Sequence, residues 1–565
     1  MRIRIWGPLA VAALMLAPTL THAACDCQDK NGDGYPEVGG SCTEKAPTTL
    51  TYVSGVNGGL PSDSISITVG DSDGDGKITC GMYASGDFWI VGEGSPKRVR
   101  VTATAPSQSN GGNGWMINPG LNGNGLDSGI GSYVAPAALP RDFATGSGVI
   151  SFIKAKSATV KDEANKPYPC AGQDSRSCIQ FAGVYTFVDS APNNSHDLFR
   201  PQYAGPSSTK WTNLRVSQMA PRVAVFPSLK PPAQGSGPAL ASVAKRGRWP
   251  GIGYHTNQKQ RDVQHWMARQ NWGERFCKQG SGYGLNIGCS DASAVIRFFL
   301  NDFDRSLPMG SVSRNALLSI VQKGIDALGG IKVGGAWGPP LSQQTSNNSW
   351  GNIFDGRILM PYFAAYMTGD SQLRALFRER RQAGAFFLGR YFDHGPASAP
   401  YQGFTKTESP TCRNLANNCS VSPSAESGYC LPAAADRDAN CCKADKSYPH
   451  WSAVLATNTS MAILLMDKSA AGVDDPSAAF NYDRMLSFSL GYGPGATSRR
   501  GVVQGAVCSG SGGQIANGFY FDQNGTSEFL KGMWTTYVDS FSQARLGGAT
   551  PGDDRPAPPI LIDVK

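Results

Sequence analysis

The chain has 565 residues, 40% of them hydrophobic and 17% charged, with 68 glycines and a formal net charge of +8. That length allows more than one domain, and that hydrophobic content excludes a disordered chain. The mild basicity favours an anionic partner, while the lack of a lysine/arginine run argues against nucleic acid.

The first residues, Met1-Arg2-Ile3-Arg4, are basic. An apolar run from Ile5 to Leu16 follows, then small residues around Ala23 and Ala24. This is the three-part layout of a secretory signal peptide. Residues 1–24 are therefore expected to be removed, and the protein to be secreted or periplasmic. The alternative is a lipoprotein acylated at Cys25, against which His22 stands where an aliphatic residue is wanted. The leader's apolar core is too short to anchor in a bilayer. The best later run, Met461-Ala462-Ile463-Leu464-Leu465-Met466, reads as a buried helix, so no transmembrane segment is expected. All 14 cysteines follow residue 24, and export makes disulfides the default. Spacing suggests local pairs: Cys170 with Cys178, Cys277 with Cys289, Cys412 with Cys419. Connectivity is not readable from spacing alone. Zinc between Cys412 and Cys442 is disfavoured by the absence of a CxxC pair and of suitably spaced histidines.

Residues 25–49 form a Cys- and Asp-rich segment. It opens with Asp29-Lys30-Asn31-Gly32-Asp33-Gly34, and a second such loop follows at Asp71-Ser72-Asp73-Gly74-Asp75-Gly76. Oxygen ligands at alternate positions with a glycine at the tight turn suit Ca²⁺. Asp29, Asn31 and Asp33, and Asp71, Asp73 and Asp75, are the candidate ligands. Gly40 and Met82 stand where an EF-hand would carry its bidentate Glu, so both loops look more like dockerin or thrombospondin-type calcium loops. An ordinary Asp/Gly turn is the alternative, and the ion's expected role is structural.

Residues 50–230 show short β-rich runs at 65–69, 87–91, 98–102, 148–153 and 181–188. Their alternation at period two, with Gly, Asn, Ser and Pro between them, predicts a β-sandwich. Pro- and Gly-rich residues 231–248 read as a linker. Over 249–548 the period turns helical, with predicted helices over 315–328, 353–367, 371–390, 451–466 and 527–541. Residues 549–565 are a Pro-rich tail. The expected class is α+β and multidomain, an N-terminal β-sandwich followed by an all-α, α/α-toroid-like domain.

The polar cluster of interest lies in the helical part. Trp337, Asn347, Asn348 and Trp350 sit in a Gly- and Asn-rich stretch that runs into the helix holding Arg357. Trp faces stack on sugar rings and amides bond sugar hydroxyls. An N-capping Asn loop with inward Trp residues reads the same stretch without a ligand. The histidines after the leader are His196, His255, His265, His394 and His450. Each one alone reads readily as a hydrogen-bonded structural residue. The GxSxG match Gly70-Asp71-Ser72-Asp73-Gly74 falls in the Asp-rich loop and not at a strand-to-helix elbow, and no phosphate-binding fingerprint occurs.

Asn348, His394 and Tyr401, in that order, with Arg357 nearby and a β-sandwich ahead of a helical domain, resemble the secreted polysaccharide lyases of the alginate, chondroitin and heparin type. No His follows the Asn347-Asn348 pair directly, which departs from the family pattern. The resemblance implies β-elimination on an acidic, uronate-containing polysaccharide. Asn348 and Arg357 would neutralise the uronate carboxylate. His394 would take the proton, and Tyr401 (or Tyr391) would protonate the leaving oxygen. Trp337, Asn347, Trp350 and His265 would bind substrate. Two other readings stay open. A glycoside hydrolase on the same scaffold would use two carboxylates among Asp355, Asp393, Glu408 and Glu426. A calcium-stabilised glycan-binding surface protein would release no product.

Overall fold

A computed structural model describes residues 42–45, 48–53, 64–71, 77–92, 98–105, 114–117, 139–144, 149–154 and 182–202 of the β-rich part. Beyond it, residues 211–233, 235, 237–247, 285–330, 359–382, 421–423, 430–432, 458–459, 461–466 and 527–546 are described.

The first part folds into two sheets. One has six strands in the order β1 (Cys42–Lys45), β4 (Lys77–Met82), β5 (Phe88–Val91), β10 (Ala182–Val188), β9 (Val149–Lys154) and β7 (Gly114–Ile117). The other has four, β2 (Thr48–Val53), β3 (Ser64–Asp71), β6 (Arg98–Ala105) and β8 (Arg141–Ala144). All their pairings are antiparallel except β5 with β10. Side chains on a strand alternate between its two faces, and the four-stranded sheet shows it plainly. Ile67 and Val69 on β3, and Val99 and Val101 on β6, are buried, while Arg98, Arg100 and Thr102 face water. The two sheets meet face to face. Phe143 of β8 stacks on Phe187 of β10 with ring centroids 5.2 Å apart. Across the same layer Tyr185 Oη donates to the carbonyl of Leu50 at 3.1 Å. β5 is covered on both faces, with Phe88, Trp89 and Ile90 at 0% exposure. Phe88 and Ile90 join the main core, and Trp89 packs with Tyr83 and Leu198 on the other side.

β3 and β4 belong to different sheets, so residues 72–76 are the crossover between them. On the neighbouring edge β1 sets Cys42 opposite Cys80 in register. Cys80 and Cys289 are each disulfide-bonded.

After Val188 come two short 3-10 turns, Ser195–Asp197 and Val216–Met219, and then helices. These are α1 (Ala220–Ala224), α2 (Leu240–Gly247), α3 (Leu285–Arg297), α4 (Val312–Gly330), α5 (Leu359–Thr368), α6 (Ser371–Gln382) and α7 (Glu528–Leu546). Three begin on side-chain caps that satisfy backbone N–H groups left open at a helix start. Ser311 Oγ accepts from Arg314 N at 3.2 Å. Asp370 Oδ1 accepts from Leu373 N at 2.9 Å, and Ser527 Oγ from Leu530 N at 3.1 Å. A two-stranded ladder, β11 (Val421–Pro423) with β12 (Cys430–Pro432), lies in the part expected to be all helical. α4 and α5 touch closely: a Cβ built on Gly324 would stand 2.2 Å from the carbonyl oxygen of Met360 and 2.6 Å from Ala364 Cβ. Only glycine permits that approach. Residues 461–466 are helical and buried, as their all-apolar sequence requires. Among the described residues, no helix is long and apolar enough to cross a membrane.

The stretch read as a linker differs from expectation. Its second half contains α2, and residues 227–233, 235, 237 and 238 run alongside the helices. Leu229 N donates to Phe299 O at 2.8 Å, and Asn301 N to Leu229 O at 2.9 Å. Arg305 reaches Pro227 O, Arg297 reaches Pro238 O, and Tyr537 Oη reaches Lys230 O. Proline removes N–H donors but leaves carbonyls, and those carbonyls are what the helices' side chains grip. Gly235, with φ +74°, lies so close to the start of α7 that a Cβ there would meet Phe529 N at 2.6 Å.

Candidate functional site

Among the described residues the most developed polar arrangement is centred on Arg200. The residue follows Leu198-Phe199 in an extended stretch that leaves the six-stranded sheet for the helices. Its side chain is 2% exposed, which for a guanidinium demands partners in fixed geometry. Nε donates to Asp87 Oδ2 at 2.8 Å. Nη1 donates to Asp326 Oδ1 at 2.9 Å and to the carbonyl of Pro201 at 2.7 Å. Nη2 donates to Asp326 Oδ2, completing a bidentate pair. Asp87 stands in the tight turn before β5, where Tyr83 N donates to its carbonyl at 2.8 Å. Ser85 Oγ also donates to Asp87 Oδ2 at 2.8 Å. Asp326 lies on α4, and one turn earlier Gln322 Nε2 donates to the backbone oxygen of Arg200 at 3.0 Å.

Burial pulls the Arg200 guanidinium down, but Asp326 and Asp87 outweigh it and hold the group above the ordinary arginine range. Tyr83 is buried beside this pair. Burial pushes its phenol above the usual range, Arg200 draws it back, and Asp87 raises it again. A second ion pair follows one residue after Gln322: Lys323 Nζ stands 3.0 Å from Asp291 Oδ1 and ties α4 to α3. Farther along, Arg314 Nη2 donates to the carbonyl of His196 at 3.2 Å. His196 carries its Nδ1 buried without a hydrogen-bond partner.

Chemically, the Arg200 arrangement is a joint. Each carboxylate binds a permanently charged guanidinium, which offers no base and no nucleophile. It connects the turn before β5, the exit segment and α4. Sequence reasoning missed it. The legible signal was the pair Gln322 and Asp326, polar residues four apart on a helix whose other positions, from Ala316 to Leu328, are largely apolar and buried.

The residues expected to form a catalytic and sugar-binding site, Asn348, His394, Tyr401, Arg357, Trp337, Asn347, Trp350 and His265, lie outside the described residues. So do Asp29, Asn31, Asp33, Asp73 and Asp75 of the Asp-rich loops. Asp71 is the last residue of β3, with its backbone opposite Val99. Among the described residues no group of three or more His, Cys, Asp or Glu side chains is placed to hold a metal ion. The chain that flanks the candidate cluster is described: α4 ends at Gly330, seven positions before Trp337, and α5 opens at Leu359, two positions after Arg357. Comparison with protein-family models, with curated proteins and with solved structures finds no match for this chain.

Proposed function

We propose that this chain is an exported carbohydrate-active enzyme that cleaves an acidic, uronate-containing polysaccharide by β-elimination. The observation that carries the reading is the succession Asn348, His394, Tyr401, with Arg357 beside the first, in the stretch that follows the two-sheet part of the chain. The net charge stays positive without Arg2 and Arg4 of the leader, which suits a polyanionic substrate. The leader-like residues 1–24 suit a protein that meets such polymers outside the cytoplasm.

The chemistry sets the roles. Removing the proton next to a uronate carboxylate builds charge on that group, so it must be neutralised first. Asn348 and Arg357 supply a hydrogen-bond donor and a cation for this. His394, in its unprotonated form, takes the proton. Tyr401 returns one to the departing glycosidic oxygen, and the bond breaks without water. Trp337 and Trp350 offer faces for flanking sugars, with Asn347 and His265 bonding hydroxyls.

Calcium has a structural role in this proposal. The crossover between Asp71 and Lys77 joins the two sheets, where an ion held by Asp71, Asp73 and Asp75 would fix one sheet against the other.

The test is substitution on an acidic polysaccharide the protein cleaves, followed by the ultraviolet absorbance of the unsaturated product. His394→Ala is expected to lower turnover by at least ~10²-fold, the low end for a positioned acid–base group. Asn348→Ala is expected to lower it as well, with both variants folded by circular dichroism. Full activity in a folded His394→Ala variant removes this assignment. Cleavage without the absorbance gives the chemistry to a glycoside hydrolase, and binding without cleavage to a surface module.

A further inference from the structure

We infer that the Asp87–Arg200–Asp326 trio is a register pin, a conformational device that selects one docking position for α4 against the sheets. Ala316, Leu317, Leu318, Ile320, Val321, Ile325 and Leu328 are all buried, at 1% exposure or less. At 3.6 residues per turn they share one face about 200° wide, and Asn315, Ser319, Gln322, Lys323 and Asp326 occupy the other. That pattern fixes which face of α4 turns to the apolar core, but a slide by one turn presents a similar apolar face, so hydrophobic packing alone leaves the axial position degenerate. Gly324 notches α4 against α5, which fixes the helices to each other and leaves open where they sit along the exit segment and the turn before β5.

The trio closes that freedom because its bonds are directional. The guanidinium is a planar fork. Two of its nitrogens face both oxygens of Asp326 while Nε faces Asp87 on the sheet side. Gln322 takes the backbone oxygen of the same arginine, and Arg314 takes His196 O farther along the segment. A slide of α4 by one turn, about 5.4 Å, breaks every one of these contacts and strands buried charges. Any misdocked arrangement is thereby penalised, whereas apolar contacts would re-form. Buried ion pairs contribute little net stability compared with apolar groups of the same volume, and breaking one partner is severe. A pin therefore shows itself when all three charges are removed together.

Two variants test this in the full chain. Arg200→Met alone should lower the thermal midpoint sharply or prevent folding, because two carboxylates are left in the core. The triple variant Asp87→Leu, Arg200→Met, Asp326→Leu should recover a midpoint within a few degrees of the parent. It should nevertheless lose near-ultraviolet circular dichroism and exchange the α4 amides at least ~10-fold faster, as a helix with several seatings would. A triple variant that falls as far as the single one, or fails to fold, makes the trio a stability element and overturns the pin. So does a triple variant with parental dichroism and amide protection, or an Arg200→Met protein as stable as the parent.

Discussion

Gly324→Ala probes the contact between α4 and α5. In an ordinary helix interior this change is favourable by about 0.5–1 kcal/mol, because alanine loses less backbone entropy on folding. Here the new Cβ would lie 2.2 Å from Met360 O, 2.9 Å from Met360 C and 2.6 Å from Ala364 Cβ. Two of those atoms are backbone, so no rotamer change relieves them. The helices must move apart by about 1 Å to restore ordinary contact, which loosens the packing along their whole length. Overpacking of that kind costs about 1–3 kcal/mol, and a clash with backbone belongs at the upper end. Set against the propensity gain, the expected net loss is about 2 kcal/mol. Urea unfolding followed by circular dichroism reads it as a lower midpoint with an unchanged slope. A Gly324→Ala protein as stable as the parent, or more so, would refute the close approach of α4 and α5.

Tyr83 gives an alkaline prediction. Burial holds its phenol above the ordinary value of ~10, so the folded state keeps a proton that the unfolded state releases. Stability linked to it is complete below pH ~10 and is lost as pH rises beyond that value. Tyr83→Phe should give a shallower loss of stability above pH ~10; an identical alkaline limb contradicts the assignment. At the acid end, the hydrogen bonds from Arg100 hold Asp142 below the usual carboxylate range. That contribution is full above pH ~3.9 and disappears as pH falls through the depressed value. The pair is exposed, 45% for Arg100 and 26% for Asp142, so Asp142→Asn should cost little at neutral pH, progressively less as the carboxylate protonates in acid, and less in high salt. A large loss that persists in salt goes against this. For the Asp-rich loops, chelator should lower the melting temperature and added Ca²⁺ restore it. No shift in either direction, with no calcium in elemental analysis, leaves the loops as turns.

Legibility followed periodicity. Ile65, Ile67 and Val69 alternate with Ser64, Ser66 and Thr68, and β3 lies over them. Leu317, Val321, Ile325 and Leu328 recur at helical spacing, and α4 contains them. β7 and β8, four residues each, are too short to display an alternation, whereas the equally short β5 stood out by its unbroken apolar run Phe88-Trp89-Ile90-Val91. α3 escaped notice because Gly288, Ser290 and Ser293 interrupt its apolar pattern. α2 escaped because the prolines before it dominated the reading of 231–248. The Arg200 joint was invisible for a different reason. Its partners are 113 and 126 residues away along the chain, and periodicity carries no information about which distant charges meet. The same limit applies to Asn348, His394 and Tyr401, whose order in sequence does not determine their separation in space.

The central claim is elimination, and the mass of the products tests it most directly. The protein should be incubated with an acidic, uronate-containing polysaccharide and the released oligosaccharides weighed by mass spectrometry. Elimination breaks the glycosidic bond without consuming water, so each new non-reducing end should carry a double bond and weigh one water less than a hydrolysis product. Oligosaccharides of that mass, absent with His394→Ala, are the predicted result. Fully hydrated oligosaccharides would contradict it.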